Sequence, residues 1–456
     1  MRPLVAIIVV GLTPRLLAHA PRIRRLADEG FMARLTPPLP AVTCTSQATM
    51  VTGLAPRDHG VVANGWYFRD LAEVMFWRQS SALVSGERLW EAARARAPGL
   101  RTAQLFWWFN MYASVELSAT PRPHYPADGR KIPGIYTEPP ALEGDLEGAL
   151  GPFPLFSFWG PGANIDSSRW IARAARRVLE REKPGLTLVY LPHLDYDLQR
   201  LGPGDERIPA AVEAVDALVE DLAERAREQG AGVVVLSEYG IEAATTPVHV
   251  NRALREAGLL RVRESRFTGE LLDAGASRAF AVADHQLAHV YVRDPADRAR
   301  VKALVEKLPG VDRVLDEDGK RAAGLDHPRS GELVAVAGKG AWFTYYHWLD
   351  DARAPDFART VDIHRKPGYD PCELLLDPAI ALPPVKIGWT LLKKALGFRY
   401  LLNVIPLDAT LVKGTHGRLP DDPDEAPLLI STSKTGAADR LDMTAVKGVL
   451  LNTLLS

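Results

Sequence analysis

Four continuous apolar runs, each about the length of a strand and set against helical segments, constrain this 456-residue chain more than any other feature. The first, VAIIVV at residues 5–10, is rich in β-branched residues and ends at Gly11. The second lies in LTLVYLPHLD (186–195), after the amphipathic stretch IARAARRVLEREK. The third lies in AGVVVLSEYG (231–240), after a long helical pattern over 208–229, and HVYV (289–292) precedes another over 296–308. A strand that is apolar on both sides belongs inside a covered sheet, and alternation with helices is the pattern of parallel crossovers. The expected class is α/β, with a mostly parallel central sheet and helices on both faces. Ligands gather at the carboxyl ends of the strands in such sheets, and Thr13, Asp195 and Glu238 fall at or just past strand ends.

Residues 66–165 break this rhythm. They hold six of the ten tryptophans and the proline-rich TPRPHYP. The expected organisation is a core from residues 1–65 and 166–456, with a Trp-rich cap of residues 66–165 inserted over the sheet edge. Those rings are expected to fill core, and lining a pocket for an aromatic or lipid-like leaving group is the other role open to one or two of them. LPDDPDEAP (419–427) reads as a solvated loop. KIGWTLLKKALGFRYLL (386–402) reads as an amphipathic helix with two central lysines, expected to pack on the core.

Charge narrows the partners. With 55 basic and 56 acidic residues the formal net charge is −1, which argues against bulk electrostatic capture of nucleic acid polymers or anionic membranes. Two cysteines, Cys44 and Cys372, make no disulfide framework and point to reduced thiols. No apolar run has the length of a membrane span. The N-terminus, MRPLVAIIVVGL followed by Ala18-His19-Ala20, has some features of a signal peptide. Pro14-Arg15 sits poorly in that role, so a buried first strand and a cytoplasmic protein are expected.

Residues 40–64, PAVTCTSQATMVTGLAPRDHGVVAN, carry the chemistry. Thr43 stands where a helix begins, a run of small residues reaches Thr52-Gly53, a Pro-x-x-His-Gly turn follows, and Asn64 comes 21 positions after Thr43. Free N–H groups and the helix dipole favour negative charge at such a point, so a hydroxyl there can meet a phosphoryl group. Capping the helix is the other role open to Thr43.

The order of these pieces resembles the alkaline phosphatase superfamily, most closely its nucleotide pyrophosphatase/phosphodiesterase branch, which includes phosphonoacetate hydrolase-like enzymes. The likeness covers the first strand, the Thr43 segment, residues 186–203 and 231–240, and Gly414-Thr415-His416-Gly417, but not the cap. It implies an alkaline phosphatase-like core, a Thr nucleophile at Thr43, and Asn64 as a phosphoryl-binding residue. It also implies two divalent metals on seven protein ligands, of which Asp195, His416 and the nucleophile Thr43 itself match. Gln199 stands where the branch has a histidine, Thr13 where it has an early aspartate, and Glu238-Tyr239 where it has an Asp-His pair. At Gln199 and Tyr239 oxygen donors stand in place of nitrogen, and the resulting oxygen-rich set suits magnesium, manganese or calcium better than zinc. One ion on Asp195, Glu238 and His416 is expected, with a second doubtful.

Further polar residues are available. His193 precedes Asp195 by two positions, and DHQLAH (284–289) offers Asp284, His285 and His289. VDIHRKPGYDPCE (361–373) gathers Asp362, His364, Asp370, Cys372 and Glu373 around a Pro-Gly turn. A lone histidine is more often a hydrogen-bonded core residue than a ligand; His285, Asp362 and His364 stand as candidate metal or substrate contacts. The expected function is a metal-dependent phosphodiester, pyrophosphate or phosphonate hydrolase, forming a phospho-threonine intermediate on a small phosphorylated substrate. A catalytically silent relative that binds a phosphorylated metabolite or a partner protein is the alternative. A transferase using the 361–373 cluster is a third. The segment after Cys44 lacks the Pro and Arg of a sulfatase nucleophile motif.

Overall fold

The computed structural model describes residues 1–127 and 130–456. Its central sheet has nine strands, ordered Arg440–Asp442, Phe31–Thr36, Leu428–Ser431, Gly232–Leu236, Leu4–Val9, Leu186–Leu191, Thr102–Leu105, Leu117–Pro121 and Ile135–Glu138. Five of its eight pairings are parallel and three antiparallel. This is the mostly parallel α/β sheet that the apolar runs require. Leu4–Val9 lies in the middle, with Ile7 between Val189 and Val235 and all six residues buried. Each Ile or Val so buried contributes about 1.5–3 kcal/mol, and the strand has no solvent face to offer. The stretch weighed as a signal-peptide core is therefore the middle of the sheet. Helices Ile165–Glu182, Ile208–Glu228 and Val446–Leu455 pack against it.

The structure corrects the expected boundaries. Residues 102–138 are not cap, because Thr102–Leu105, Leu117–Pro121 and Ile135–Glu138 complete one side of the central sheet. These strands have only four or five residues each, too short to show a period among prolines and aromatics. Residues 128 and 129 of the expected cap lie outside the described residues. The second lobe is instead built on a four-stranded antiparallel sheet, ordered Ala279–Asp284, Leu287–Val292, Leu333–Ala337 and Val311–Leu315, with its own apolar core. HVYV thus belongs to a hairpin and not to the parallel sheet; an apolar run does not reveal the direction of its neighbour. The small hairpin Gly65–Phe68/Glu73–Phe76 packs on this lobe through Tyr67 and Phe76.

The segment 386–402 also departs from expectation. Its helix, Pro383–Ala395, has one buried residue, Thr390, and turns Val385, Trp389, Leu391 and Leu392 outward.

Candidate active site

Strands Leu4–Val9, Leu186–Leu191 and Gly232–Leu236 are mutually parallel, so their carboxyl ends share one edge. Phe31–Thr36 runs the same way, being antiparallel to Leu428–Ser431, which is itself antiparallel to Gly232–Leu236. Each strand delivers polar residues to that edge. Phe31–Thr36 leads to helix Thr43–Thr52, Leu186–Leu191 to helix His193–Leu201, and Gly232–Leu236 to Ser237, Glu238 and Tyr239.

Helix Thr43–Thr52 is buried at all ten positions and stops at Gly53, whose φ of +71° forms a left-handed cap with its N–H on the Thr49 carbonyl, 2.8 Å away. Thr43 is the first helical residue; Val42 holds the cap position and makes no side-chain cap bond. The Thr43 hydroxyl is therefore not spent on capping. It lies 3.1 Å from the Tyr239 hydroxyl, which donates to Asp195 Oδ1 at 3.1 Å. Gln199 Nε2 donates to Asp195 Oδ2 at 2.8 Å, and Gln199 Oε1 accepts from the Tyr369 hydroxyl at 2.8 Å. Gln199 is four residues beyond Asp195, so the two share a face of helix His193–Leu201. The result is a buried chain: Thr43, Tyr239, Asp195, Gln199, Tyr369.

A second branch steadies the helix start. Cys44 N–H donates to Asn64 Oδ1 at 2.9 Å. Asn64 then donates to Asp284 through its backbone N–H (2.7 Å) and its side chain (3.1 Å). Asp284 Oδ1 also meets His285 Nδ1 at 2.8 Å. On the opposite side, Gln47 Nε2 donates to Glu238 Oε1 at 2.5 Å and Gln47 Oε1 accepts the Trp108 N–H at 2.7 Å. Above these groups runs a pile of rings. Tyr239 lies 3.6 Å from His416, His416 3.7 Å from His285, and His285 3.6 Å from Tyr369, centroid to centroid. Trp77 and Trp159 flank Tyr369 at 6.1 and 5.8 Å, and Trp108 meets Trp77 at 5.0 Å. All three indoles are only half-buried.

Charge is the unusual property of the cluster. The side-chain partners described for Asp195, Glu238 and Asp284 are neutral amides, a phenol and an imidazole. Burial pushes Asp195 up from an ordinary 3.8 to about 6, against the pull of the Gln199 and Tyr239 donors. Asp284 rises to about 6 for the same reason, opposed by its bonds to Asn64. Burial and then the Asp195 charge keep Glu238 well above the usual carboxylate range, opposed by Gln47. Burial also holds His285 and His416 neutral. Glu238 Oε2, His285 Nε2 and His416 Nε2 are buried without a hydrogen-bond partner.

Of the residues singled out from sequence, Thr43, Asn64, Asp195, Gln199, Glu238, Tyr239, His285 and His416 converge on this edge. Thr13 is buried beside it, close enough that a Cβ on Gly240 would come within 2.9 Å of its methyl. Continuing the register of Ile8 opposite Leu236 sets Val10, not Thr13, level with Glu238. Asp362 and His364 belong elsewhere: the Asp362 N–H donates to Glu373 Oε1 at 2.8 Å, and His364 neighbours Phe76, Arg78 and Asp362. His193 begins a helix after Pro192 ends the strand, so two residues of separation place it on a different face from Asp195. His59 of the Pro-x-x-His-Gly turn is structural. Its Nδ1 accepts the Val61 N–H at 3.0 Å, which leaves Nε2 to donate to Thr49 Oγ1 at 3.0 Å. Gln47 and Tyr369 are additions to the site. The first was within reach, four residues after Thr43 on one helix face; nothing local marked the second.

The donor set does not fit the two-ion arrangement that the resemblance implies. Among the described residues no three His, Cys, Asp or Glu side chains are placed to hold a metal ion. Both Asp195 oxygens take protein donors, and Tyr239 fills the space between Thr43 and Asp195.

Residues 4–370 match the family model for type I phosphodiesterase / nucleotide pyrophosphatase. The chain belongs to that family. It is 24% identical over 248 residues to an uncharacterized pyrophosphatase/phosphodiesterase of Schizosaccharomyces pombe, spanning 51% of this chain and 41% of that relative. Its fold is alkaline phosphatase-like. Phosphonoacetate hydrolase from Sinorhizobium meliloti 1021, bound to phosphonoformate, superimposes with a TM-score of 0.64 at 14% identity, over 99% of this chain and 96% of that one. An inactive threonine-to-alanine variant of murine ectonucleotide pyrophosphatase/phosphodiesterase 5, bound to AMP, superimposes with a TM-score of 0.60 at 12% identity, over 100% and 95%.

Proposed function

We propose that this family member is a phosphodiester- or pyrophosphate-type hydrolase in which Thr43 is the nucleophile and Asp195, acting through Tyr239, is the base. The observation that carries the reading is the unbroken path from Thr43 Oγ1 to Tyr239 to Asp195, with both steps 3.1 Å. An ionised Asp195 only accepts, so Tyr239 donates to it and Thr43 donates to Tyr239. As Thr43 Oγ1 bonds to phosphorus and the leaving-group bond breaks, its proton passes to Tyr239 while the Tyr239 proton passes to Asp195. Hydrolysis of the phospho-threonine by water returns the hydroxyl to Thr43. Asp195 is the base of choice because its pKa of about 6 leaves it mostly ionised at neutral pH, whereas burial and the Asp195 charge raise Glu238 well above the usual carboxylate range. Asn64 accepts the Cys44 N–H and donates to Asp284, so it fixes the start of the helix instead of offering its amide to the phosphoryl group, and the helix N-terminus favours the phosphoryl charge. Trp77, Trp108 and Trp159 suit an apolar or aromatic leaving group on a small phosphorylated molecule.

A second reading keeps a divalent ion, favoured by the unpartnered Glu238 Oε2 and His416 Nε2. A third is a silent relative that binds a phosphorylated ligand, favoured by the lack, among the described residues, of a cationic partner for the three carboxyl groups. One experiment separates them: hydrolysis of bis(p-nitrophenyl) phosphate by native protein and Thr43→Ala, with chelator or with added magnesium, manganese or zinc. The proposal expects activity that survives chelation and falls by about four orders of magnitude in Thr43→Ala. Equal rates in both proteins remove Thr43 from the chemistry, and activity abolished by chelator with bound stoichiometric metal establishes the second reading. The two cysteines are buried and unbridged, which suits a reducing compartment such as the cytoplasm. No helix among the described residues is long and apolar enough to cross a membrane.

A further inference from the structure

The helix Pro383–Ala395 is amphipathic in the wrong sense for a helix that only packs on its own protein. Val385, Trp389, Leu392 and Leu396 recur at i, i+4, i+7 and i+11, one stripe along the helix and its cap, and they are 63, 59, 46 and 63% exposed. The inward side is slight: Thr390 is buried and Ile387 touches the apolar cluster around Trp342, Tyr346 and Trp348. Leu382 before the helix and Phe398 after it are both 65% exposed. The patch continues onto the tip of the Val262–Ser265/Gly269–Leu272 hairpin. There the exposed Phe267 offers its carbonyl to Arg399 Nη2 at 2.8 Å.

The charge around this stripe is one-sided. Residues 378–407 contain Lys386, Lys393, Lys394 and Arg399 and no Asp or Glu, in a chain whose net charge is −1. Arg399 pairs with Asp356 at 3.3 Å, while the three lysines make no ion pair among the described residues. Lys393 Nζ sits 5.8 Å from the Trp389 ring and Lys394 Nζ 5.1 Å from the Tyr400 ring. Lysine stems laid along apolar surface, with Trp, Phe and Tyr beside them, match the boundary between acyl chains and headgroups.

We propose that this helix lies flat in the surface of an anionic lipid bilayer, with its apolar stripe inserted and its lysines against the headgroups. Thirteen residues rise about 20 Å, short of the roughly 30 Å hydrocarbon core, so the helix rests on the membrane and does not span it. A second copy of the chain is the poorer occupant, since symmetric pairing would press the same lysines together. Neutral overall charge does not oppose the contact, because attraction beyond about 10 Å is screened and the local patch decides. The proposal is independent of the chemistry at Thr43.

The test is co-sedimentation of the full chain with phosphatidylcholine vesicles, with and without phosphatidylglycerol. The protein is expected to pellet with the anionic vesicles and to be released by salt. Trp389→Glu with Leu392→Glu should abolish pelleting, and Lys386→Glu with Lys393→Glu should weaken it by at least about fivefold per lysine. These side chains are exposed, so each variant should keep the native thermal midpoint; a variant that melts early is replaced by Val385→Ser with Leu396→Ser. Protein that stays in the supernatant with anionic vesicles overturns the proposal. So does light scattering that shows a native dimer converted to monomer by Trp389→Glu with Leu392→Glu, because the stripe would then belong to a subunit interface.

Discussion

Two buried ionic clusters, joined through Tyr369 and Trp159, handle charge in opposite ways. Around Lys366, one ammonium meets two carboxylates, Asp370 Oδ2 and Glu373 Oε1, each at 2.7 Å. Glu373 further accepts the Trp159 indole N–H at 2.6 Å and the Asp362 N–H at 2.8 Å, and Asp370 accepts the Cys372 N–H at 3.1 Å. Burial alone would lower the Lys366 pKa, but the two carboxylates outweigh it and raise it. This cluster has a cation and a full set of donors, which is what a structural site needs. Among the described residues the partners of the buried carboxyl groups of Asp195, Glu238 and Asp284 are neutral, and the fold carries these groups at a cost. Burial raises a carboxyl in both clusters, Glu373 in the first as well as Asp195, Glu238 and Asp284 in the second, but only in the first does an ammonium oppose it. Perturbed carboxyls without a counter-charge are what a candidate site for chemistry offers. The polar 361–373 segment, readable from sequence as a candidate site, is thus a brace for Tyr369 and Trp159.

Removing the cation should break the braced cluster most severely. Lys366→Met leaves two carboxyl groups buried without a counter-charge and is expected to cost about 3–5 kcal/mol in urea unfolding. A loss below about 1 kcal/mol would mean that the pair is not what holds the cluster.

Asp195→Asn should act in the reverse direction. The folded carboxyl, with a pKa of about 6 against an ordinary 3.8, contributes its full stability below the lower value and loses it as pH rises through the upper one. At neutral pH the substitution is expected to stabilise the fold by up to about 3 kcal/mol while activity collapses. Destabilisation at neutral pH would show that the carboxylate is compensated by something beyond its described neighbours.

Tyr239→Phe cuts the path between Thr43 and Asp195 without changing ring volume. A drop in kcat of about a hundredfold with KM little changed is expected. Unchanged kcat would sever Asp195 from Thr43 activation.

The smallest effect is a shift in pH dependence. Activity should rise with pH through about 6 as Asp195 ionises. Gln199→Leu removes one donor from that carboxylate, so the rising limb should move upward by roughly one pH unit. A limb that stays in place assigns it to another group.

The apolar runs specified the α/β class because VAIIVV has no polar face to show solvent, and any fold must bury it on both sides. Asp195 and Glu238 were legible because each follows a strand end, and Thr43 because it opens a helix, whereas Asn64 and His416 were legible only through the resemblance of their motifs to the family. Other features were decided only in three dimensions. The short strands in 102–138 are defined by their neighbours and not by an internal period. Tyr369 comes from a distant loop, and His285 reaches His416 from a hairpin of the second lobe. Most of all, sequence supplied the oxygen donors but not what satisfies them. That depends on Tyr239 lying 3.1 Å from both Thr43 and Asp195, and hydrogen bonding at that range is set by packing, not by residue type.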